Sequence, residues 1–180
     1  MNDLVMLATL LDGPLHGYAI KKQAGLIFGR AAMHNNVVYP LLRRFVTQGW
    51  VTQRETAGDR GQRRQVYSLT ARGRHALIGR LSAFDESDAR SPEAFQLRVG
   101  LFAFFDPEVR EQILTRRKSY LADRSEKLGR IEREMEIGRF GGEVVHFMQL
   151  QIRSEIDWIG HLESLASREE KPAGRKRRSR

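Results

Sequence analysis

The sequence of 180 residues contains no cysteine, which excludes a disulfide framework, a thiolate metal site and a cysteine nucleophile. Its five histidines lack HExxH or paired-ligand spacing, and there is no glycine-rich phosphate loop. The apolar run at the N-terminus is short and periodic, with no basic segment before it, so we expect neither a signal peptide nor a membrane span. We therefore predict a cytoplasmic protein that is not an enzyme and needs no metal or cofactor.

Charge is distributed unevenly along the chain. Of the net charge of +9, residues 1–80 carry +8, residues 81–167 carry −4 and residues 168–180 carry +5. With 41% hydrophobic residues, the composition fits a soluble protein of one domain or two small ones. A basic N-terminal half joined to a mildly acidic one is typical of a polyanion-binding module attached to a second region.

The stretch "VVYPLLRRFVTQGW", residues 37–50, has the period of an amphipathic helix. Pro40 falls about one turn after a start near Asn35 or Asn36, where few intrahelical hydrogen bonds are lost, and the helix is expected to end near Gly49. The exposed face would carry amide, hydroxyl and guanidinium groups, which suit phosphates or base edges; a merely solvated face is the alternative. One side consists of Val37, Val38, Leu41, Leu42, Phe45 and Val46, and the other of Asn36, Tyr39, Pro40, Arg43 and Thr47.

Turn signals and periodicity predict three helices and then a hairpin in the first half of the chain. The helices are expected over residues 3–11, from His16 to about Phe28, and over the stretch just described. Two β-rich runs, "WVTQRET" and "RRQVYSLT", flank the flexible "AGDRGQ" and form the predicted wing. A fourth helix is expected after Thr70 as its N-cap. The arginines Arg60, Arg63 and Arg64 cluster at the tip and returning strand of the wing, where they can meet phosphates.

The spacing of apolar residues in the second half of the chain predicts helices. From Pro107 to about Ile137, apolar residues recur every seven positions at Leu114, Leu121, Leu128 and Met135, with Arg117 and Arg124 at places where a coiled coil takes apolar residues. "GRFGG", residues 138–142, is expected to break the chain before a second amphipathic helix over 143–166. Two long helices with narrow apolar stripes favour a partner chain, so we predict a homodimer. A self-contained hairpin is the alternative.

Four motifs give the sequence a family resemblance: "GPLHGYAI" (13–20), "VVYPLLRRF" (37–45), "QGW" (48–50) and "VYSLTARGRHAL" (66–77). In this order they resemble the PadR family of bacterial transcriptional regulators. The resemblance implies a winged helix-turn-helix that binds operator DNA as a homodimer, usually as a repressor released by a small molecule. It also favours a helix in the apolar segment 91–105, where alternation fits a strand equally well. Asn36 departs from the small residue or glycine common in the family, and Phe45-Val46 from its Leu-Glu.

The predicted fold is mostly α with a small β-hairpin wing. A winged helix-turn-helix DNA-binding domain is expected over residues 1–82, an all-helical dimerisation and effector domain over 83–168, and a basic disordered tail over 169–180. Arg43 is the first candidate for base readout and Asn36 the second. The full set of predicted DNA contacts is Asn36, Tyr39, Arg43, Arg44, Thr47, Arg60, Arg63 and Arg64, with Tyr39 and Arg44 as phosphate anchors.

The resemblance also implies an effector, because family members often respond to phenolic acids or other planar aromatics. The candidates for its pocket are Phe95, Phe102, Phe105 and Trp158, for which core packing is the alternative. The function predicted is that of a repressor released from a palindromic operator. A transcriptional activator, a nonspecific DNA-binding protein and a protein-binding helical adaptor are the alternatives.

Overall fold

The computed structural model describes residues 2–28, 34–57 and 63–168. The chain divides into two compact units, Met1–Ala83 and Phe84–Arg180. The tip of the predicted wing, including Arg60, and the predicted basic tail over 169–180 lie outside the described residues.

The N-terminal unit combines helices with a small antiparallel sheet. The sheet has the strand order β1-β3-β2, and the pairing of β2 with β3 runs from Val51 opposite Leu69 to Ala57 opposite Arg63. The predicted fold class, mostly helical with a β wing, is confirmed. The elements in chain order are α1 (Asn2–Thr9), β1 (Leu15–His16), α2 (Gly17–Phe28), α3 (Asn35–Thr47), β2 (Val51–Ala57), β3 (Arg63–Leu69) and α4 (Ala71–Ser82).

Strand β1 was not predicted from the sequence, which assigned His16 to the start of a helix. Leu15 and His16 pair with Tyr67 and Val66 of β3, so the wing strands belong to a three-stranded sheet. The His16 ring then caps α2, because its Nδ1 accepts a hydrogen bond of 3.0 Å from the Ala19 N–H. A strand of two residues has no alternation by which the sequence could reveal it.

Helix α3 ends in a Schellman motif. The Trp50 N–H donates to the Phe45 carbonyl at 2.9 Å, and the Gly49 N–H donates to the Val46 carbonyl at 3.0 Å. Gly49 has a φ of 68°, a left-handed conformation that costs glycine little. This geometry turns the chain directly from α3 into β2, so the predicted end of the helix near Gly49 is confirmed.

Thr70 caps α4 as predicted and also ties it to the end of α3. Its hydroxyl accepts a hydrogen bond from the Gly73 N–H at 2.9 Å and lies 2.8 Å from the Gly49 carbonyl oxygen. The Thr70 N–H donates to the Trp50 carbonyl at 2.9 Å. Gly73 approaches this junction so closely that a Cβ atom there would collide with the Trp50 carbonyl oxygen.

The described part of the C-terminal unit is helical. The apolar segment that admitted a helix or a strand forms α6 and a 3₁₀ turn at Phe102–Phe104. The predicted break was displaced: the chain leaves α7 at Met135 and enters α8 before Gly141 and Gly142, which lie inside that helix. The elements are α5 (Glu86–Arg90), α6 (Pro92–Val99), α7 (Pro107–Glu134) and α8 (Arg139–Arg168).

Helices α7 and α8 pack against each other along the stripes found in the sequence. The buried side chains are Leu114, Leu121 and Leu128 from α7 and Val145, Ile152 and Ile159 from α8. We expected a second chain to cover part of these stripes, but these six side chains are already buried within one chain. Met135 differs from the others, because it follows the end of α7 and is 59% exposed.

Arg117 interrupts the apolar stripe of α7 because it forms a buried ion pair with α8. Its side chain is only 2% exposed, and its Nε and Nη2 donate to the two Glu155 carboxylate oxygens at 2.8 Å each. Its Nη1 donates to the Ala89 carbonyl at 2.6 Å, so α5 joins the same arrangement. Arg124, the other interruption, is exposed and donates to the Tyr120 hydroxyl at 3.1 Å.

Two glycines of α4 provide a matched test of the junction at Trp50. We predict that Gly73→Ala lowers the free energy of unfolding by on the order of 3 kcal/mol, because the new methyl group must displace the Trp50 backbone. Gly79 has no atom within 4 Å of the position of a Cβ. Gly79→Ala should therefore raise the free energy of unfolding by about 0.5 to 1 kcal/mol. Urea denaturation of both variants measures the difference, and equal effects would contradict it.

Candidate nucleic-acid interface

Helix α3 presents the polar face predicted from its sequence. Val38, Leu42 and Phe45 are buried in the unit. On the other side Asn36, Tyr39, Arg43 and Thr47 are exposed, and Tyr39 is 41% exposed. At this spacing the four side chains follow one line along the helix, so a groove of nucleic acid could meet all of them together.

Two local hydrogen bonds restrict the polar side chains near the ends of α3. The Thr47 hydroxyl donates to the Arg43 carbonyl at 3.1 Å, which fixes its position within the last turn. At the other end, the Lys21 ammonium of α2 donates to the Asn35 side-chain oxygen at 3.1 Å. Lys21 is a basic residue beside this face that was not among the predicted contacts, because only the fold brings α2 next to α3.

Arg44 lies at the edge of this face and shares a carboxylate with Arg80. Asp3 of α1 is 2.8 Å from the Arg80 guanidinium and 3.7 Å from that of Arg44. Burial raises the pKa of Asp3, but Arg80 and the hydrogen bond from the Leu4 N–H outweigh burial and hold that pKa below its usual value. The carboxylate is therefore ionised at neutral pH, and half of the Arg44 side chain remains exposed.

The strands β2 and β3 carry further basic and polar side chains. The predicted contacts Arg63 and Arg64 are both exposed on β3. Glu55 of β2 pairs with Arg63 at 3.0 Å and accepts a hydrogen bond from the Gln65 amide at 3.3 Å. The acidic group on this part of the wing is thus neutralised by a neighbour, while 83% of the Arg63 side chain stays exposed.

A cleft of about 400 Å³ lies beside α3, next to the strands. We call it the tyrosine cleft and define it by Tyr18, Tyr39, Arg64, Gln65 and Tyr67, which line it together with His16 and Gly17. Burial raises the pKa of Tyr67; the neighbouring Tyr39 raises it further, and Arg43 partly offsets the two. Tyr18, Gln65 and Tyr67 were not among the predicted contacts, since only the fold brings them next to Tyr39.

The effector candidates form two pairs in the C-terminal unit. Phe95 is fully buried and meets Trp158 edge to face, with ring centroids 5.7 Å apart. Phe102 and Phe105 meet at 6.1 Å. Trp158 is 37% exposed and lines a cleft of about 510 Å³ with Gln96, Gln151 and Ser154 among its neighbours, whereas Phe95 and Phe105 are core side chains.

Other kinds of site find no support in the parts of the chain that the structure describes. No group of three or more His, Asp or Glu side chains among those residues has the arrangement of a metal site. Within the described residues, no helix is both long enough and apolar enough to cross a membrane.

The N-terminal unit is similar to a known family. Residues 6–78 match the family described as "Transcriptional regulator PadR-like family". The matched range contains α3, the three strands and most of α4, and therefore the whole candidate interface within the described residues. A comparison with curated proteins finds no match.

The chain is also similar to several solved structures. A Thermoplasma acidophilum protein described as a putative transcriptional regulator is 28% identical over 43% of this chain and 74% of its own, with a TM-score of 0.41. Bacillus subtilis PadR in complex with operator DNA is 20% identical over 91% and 98%, with a TM-score of 0.44. The same protein in complex with p-coumaric acid is 20% identical over 92% and 98%, with a TM-score of 0.37.

Proposed function

We propose that this chain is a homodimeric repressor that a small aromatic acid releases from a palindromic operator, and the match of residues 6–78 to the PadR-like family of transcriptional regulators supports the proposal. One observation supports DNA binding most directly: the exposed line of Asn36, Tyr39, Arg43 and Thr47 on α3. This line lies within residues 1–80, which have a net charge of +8, and a net positive charge favours binding to a polyanion.

The residues of this interface divide into two kinds of contact. Arg43 reads a base edge in the major groove, since an arginine can donate two hydrogen bonds to guanine, and Asn36 can do the same for adenine. Tyr39 and Arg44 bind phosphates. Arg63 and Arg64 of β3 add phosphate contacts that carry no sequence information, as does Arg60, which the sequence predicts to lie at the tip of the wing. Two copies of the unit meet half-sites about 34 Å apart on one side of the duplex.

The exposed apolar surface of α8 supports the proposal that the protein is a dimer. While one face of α8 packs against α7, another carries exposed apolar side chains at helical spacing. We call this surface the outer stripe; it consists of Phe140, Val144, Phe147, Trp158 and Leu165, which are between 37% and 85% exposed. Exposed apolar side chains grouped on one surface are typical of protein–protein interfaces, and two outer stripes cover each other in a twofold dimer.

An aromatic acid would bind at Trp158, where the cleft next to the outer stripe offers a ring for stacking. Phe95 supports this ring from the core at 5.7 Å. Gln96, Gln151 and Ser154 supply amide and hydroxyl donors for a carboxylate. Glu155 also lines the cleft, and its own carboxylate is paired with Arg117 at 2.8 Å. Because Trp158 also belongs to the outer stripe, a bound ligand would change how two chains meet and thereby the distance between their DNA-binding units.

We predict that Arg43 and Arg64 differ in the kind of affinity that they supply. Arg43→Ala should weaken binding to the operator by about 1 to 3 kcal/mol and binding to random duplex by less, because a base contact is lost. Arg64→Ala should weaken both about equally and lower the slope of log affinity against log salt by roughly 0.9. Fluorescence anisotropy with an operator selected from a random library and with a scrambled duplex tests both. The reverse pattern would exchange the two roles.

We predict a dimer through the outer stripe. Light scattering at micromolar concentration should give twice the chain mass of 20.7 kDa. The double variant Val144→Glu with Phe147→Glu should be monomeric, since it would bury four charges in a symmetric interface. His146→Glu is the matched control, because His146 is exposed on the same turn outside the outer stripe. A monomeric wild-type protein, or a dimeric double variant with intact helicity, would argue against this interface.

We predict that hydroxylated benzoates or cinnamates dissociate the operator complex through Trp158. A ligand at ~100 times its dissociation constant should raise the free energy of unfolding by about 2.7 kcal/mol, which a thermal-shift panel detects. Trp158→Leu should lose this ligand-induced rise in stability. If no compound of the panel alters either thermal stability or operator binding, the aromatic-acid assignment is wrong.

A further inference from the structure

The tyrosine cleft occupies a position between the two elements assigned to DNA. Tyr39 comes from α3, Arg64 and Gln65 come from β3, and Tyr18 comes from the first turn of α2. In the proposed complex α3 lies in a major groove about 12 Å wide, and the wing lies along the groove next to it. A sugar-phosphate strand separates adjacent grooves. The surface between α3 and the wing must therefore face that strand.

Two of the rings that line this cleft, those of Tyr39 and Tyr67, pack against other parts of the unit. Tyr39 packs against Gly17, where a Cβ atom would lie 3.0 Å from the Tyr39 Cε1 and 3.4 Å from its hydroxyl oxygen. Tyr67 is 6% exposed and pairs across the sheet with Leu15. Binding a ligand between such rings costs little side-chain entropy, because they are ordered before the ligand arrives.

The Tyr18 side chain is exposed enough to contact a ligand. It is 69% exposed although it follows directly on the buried Gly17, so the core of the unit gains little from its ring. A tyrosine hydroxyl donates a hydrogen bond readily to a phosphate oxygen. The backbone N–H of the next residue, Ala19, is not available to a phosphate, because it already donates to His16 Nδ1.

The charge around the cleft favours an anion. Arg64 lines it, and Arg43 is close enough to affect the pKa of Tyr67. The nearest carboxylate on the strands, that of Glu55, is held by Arg63 at 3.0 Å and by the Gln65 amide at 3.3 Å.

From this geometry we infer that the tyrosine cleft binds one phosphodiester of the DNA backbone, with the Tyr18 hydroxyl, the Tyr39 hydroxyl and the Arg64 guanidinium as its donors. The inference rests on the proposed function and adds to it a contact from α2. It makes Tyr18 a residue that holds α3 at its depth in the groove without reading a base. The ligand is the backbone itself, so its sequence is immaterial.

A cycle of protein and DNA substitutions tests this contact. The protein variants are Tyr18→Phe, which removes only the hydroxyl, and Tyr120→Phe as a matched control in the other unit. The DNA is the operator selected by the wild-type protein, prepared as a set of duplexes in which one phosphate at a time is replaced by an uncharged methylphosphonate. Anisotropy gives the dissociation constant of each pair at fixed salt.

We predict that Tyr18→Phe weakens binding about tenfold on the selected and on the scrambled duplex alike, as expected for a lost hydrogen bond to a charged group. The salt slope should stay unchanged, since no charge is removed. One methylphosphonate position should weaken the wild-type protein and Tyr120→Phe but have little further effect on Tyr18→Phe. That loss of sensitivity at a single position identifies the phosphate.

Other results would overturn the inference. If every methylphosphonate weakens Tyr18→Phe by the same factor as the wild-type protein, the hydroxyl does not contact a phosphate. If Tyr18→Phe weakens only the selected duplex, it reads sequence. If the wild-type protein binds no duplex even at low salt, the proposed function fails together with this contact, and the wild-type titration alone distinguishes that case.

Discussion

The N-terminal unit depends on the close approach of α4 to the chain at Trp50. Gly73 lies against the Trp50 carbonyl, and Thr70 joins the same carbonyl to the first turn of α4. The Trp50 ring stacks on Phe45 of α3 at 5.9 Å and lies under the Arg80 guanidinium. A single residue thus connects the end of α3, the start of β2 and the helix that follows the sheet. The angle between α3 and the wing is set at this point.

These contacts at Trp50 fix the position of α3 relative to the wing. A recognition surface needs such fixed positions, because its side chains must meet several groups of a nearly rigid duplex simultaneously. Asp3 extends the same arrangement to α1, since its carboxylate holds Arg80 and Arg44 together. The polar face of α3 therefore rests on helices that do not themselves belong to it. In the proposed complex, any displacement of α4 moves the base-reading residues and the phosphate-binding residues as one body.

Periodicity predicted the parts of this molecule that are governed by local sequence. The two faces of α3, the cap at Thr70 and the end near Gly49 follow from helical spacing and from residues with strong conformational preferences. Periodicity does not reveal which distant segments of the sequence pair with each other. Leu15 and His16 form a strand only because Tyr67 and Val66 lie beside them, and the tyrosine cleft likewise joins residues from three elements. In the sequence Arg117 is only an interruption of an apolar stripe, because its ion-pair partner Glu155 is 38 residues away.

The buried Arg117 has a consequence for the alignment of α7 with α8. A guanidinium in an apolar interior is tolerable only while its carboxylate partner is in place, since an unpaired buried charge costs several kcal/mol. Apolar stripes with a repeat of seven could slide past each other by one repeat and still bury leucine against isoleucine. Such a slip would separate Arg117 from Glu155 and from the Ala89 carbonyl. The ion pair thereby selects one alignment of the hairpin out of several that the apolar contacts alone would accept.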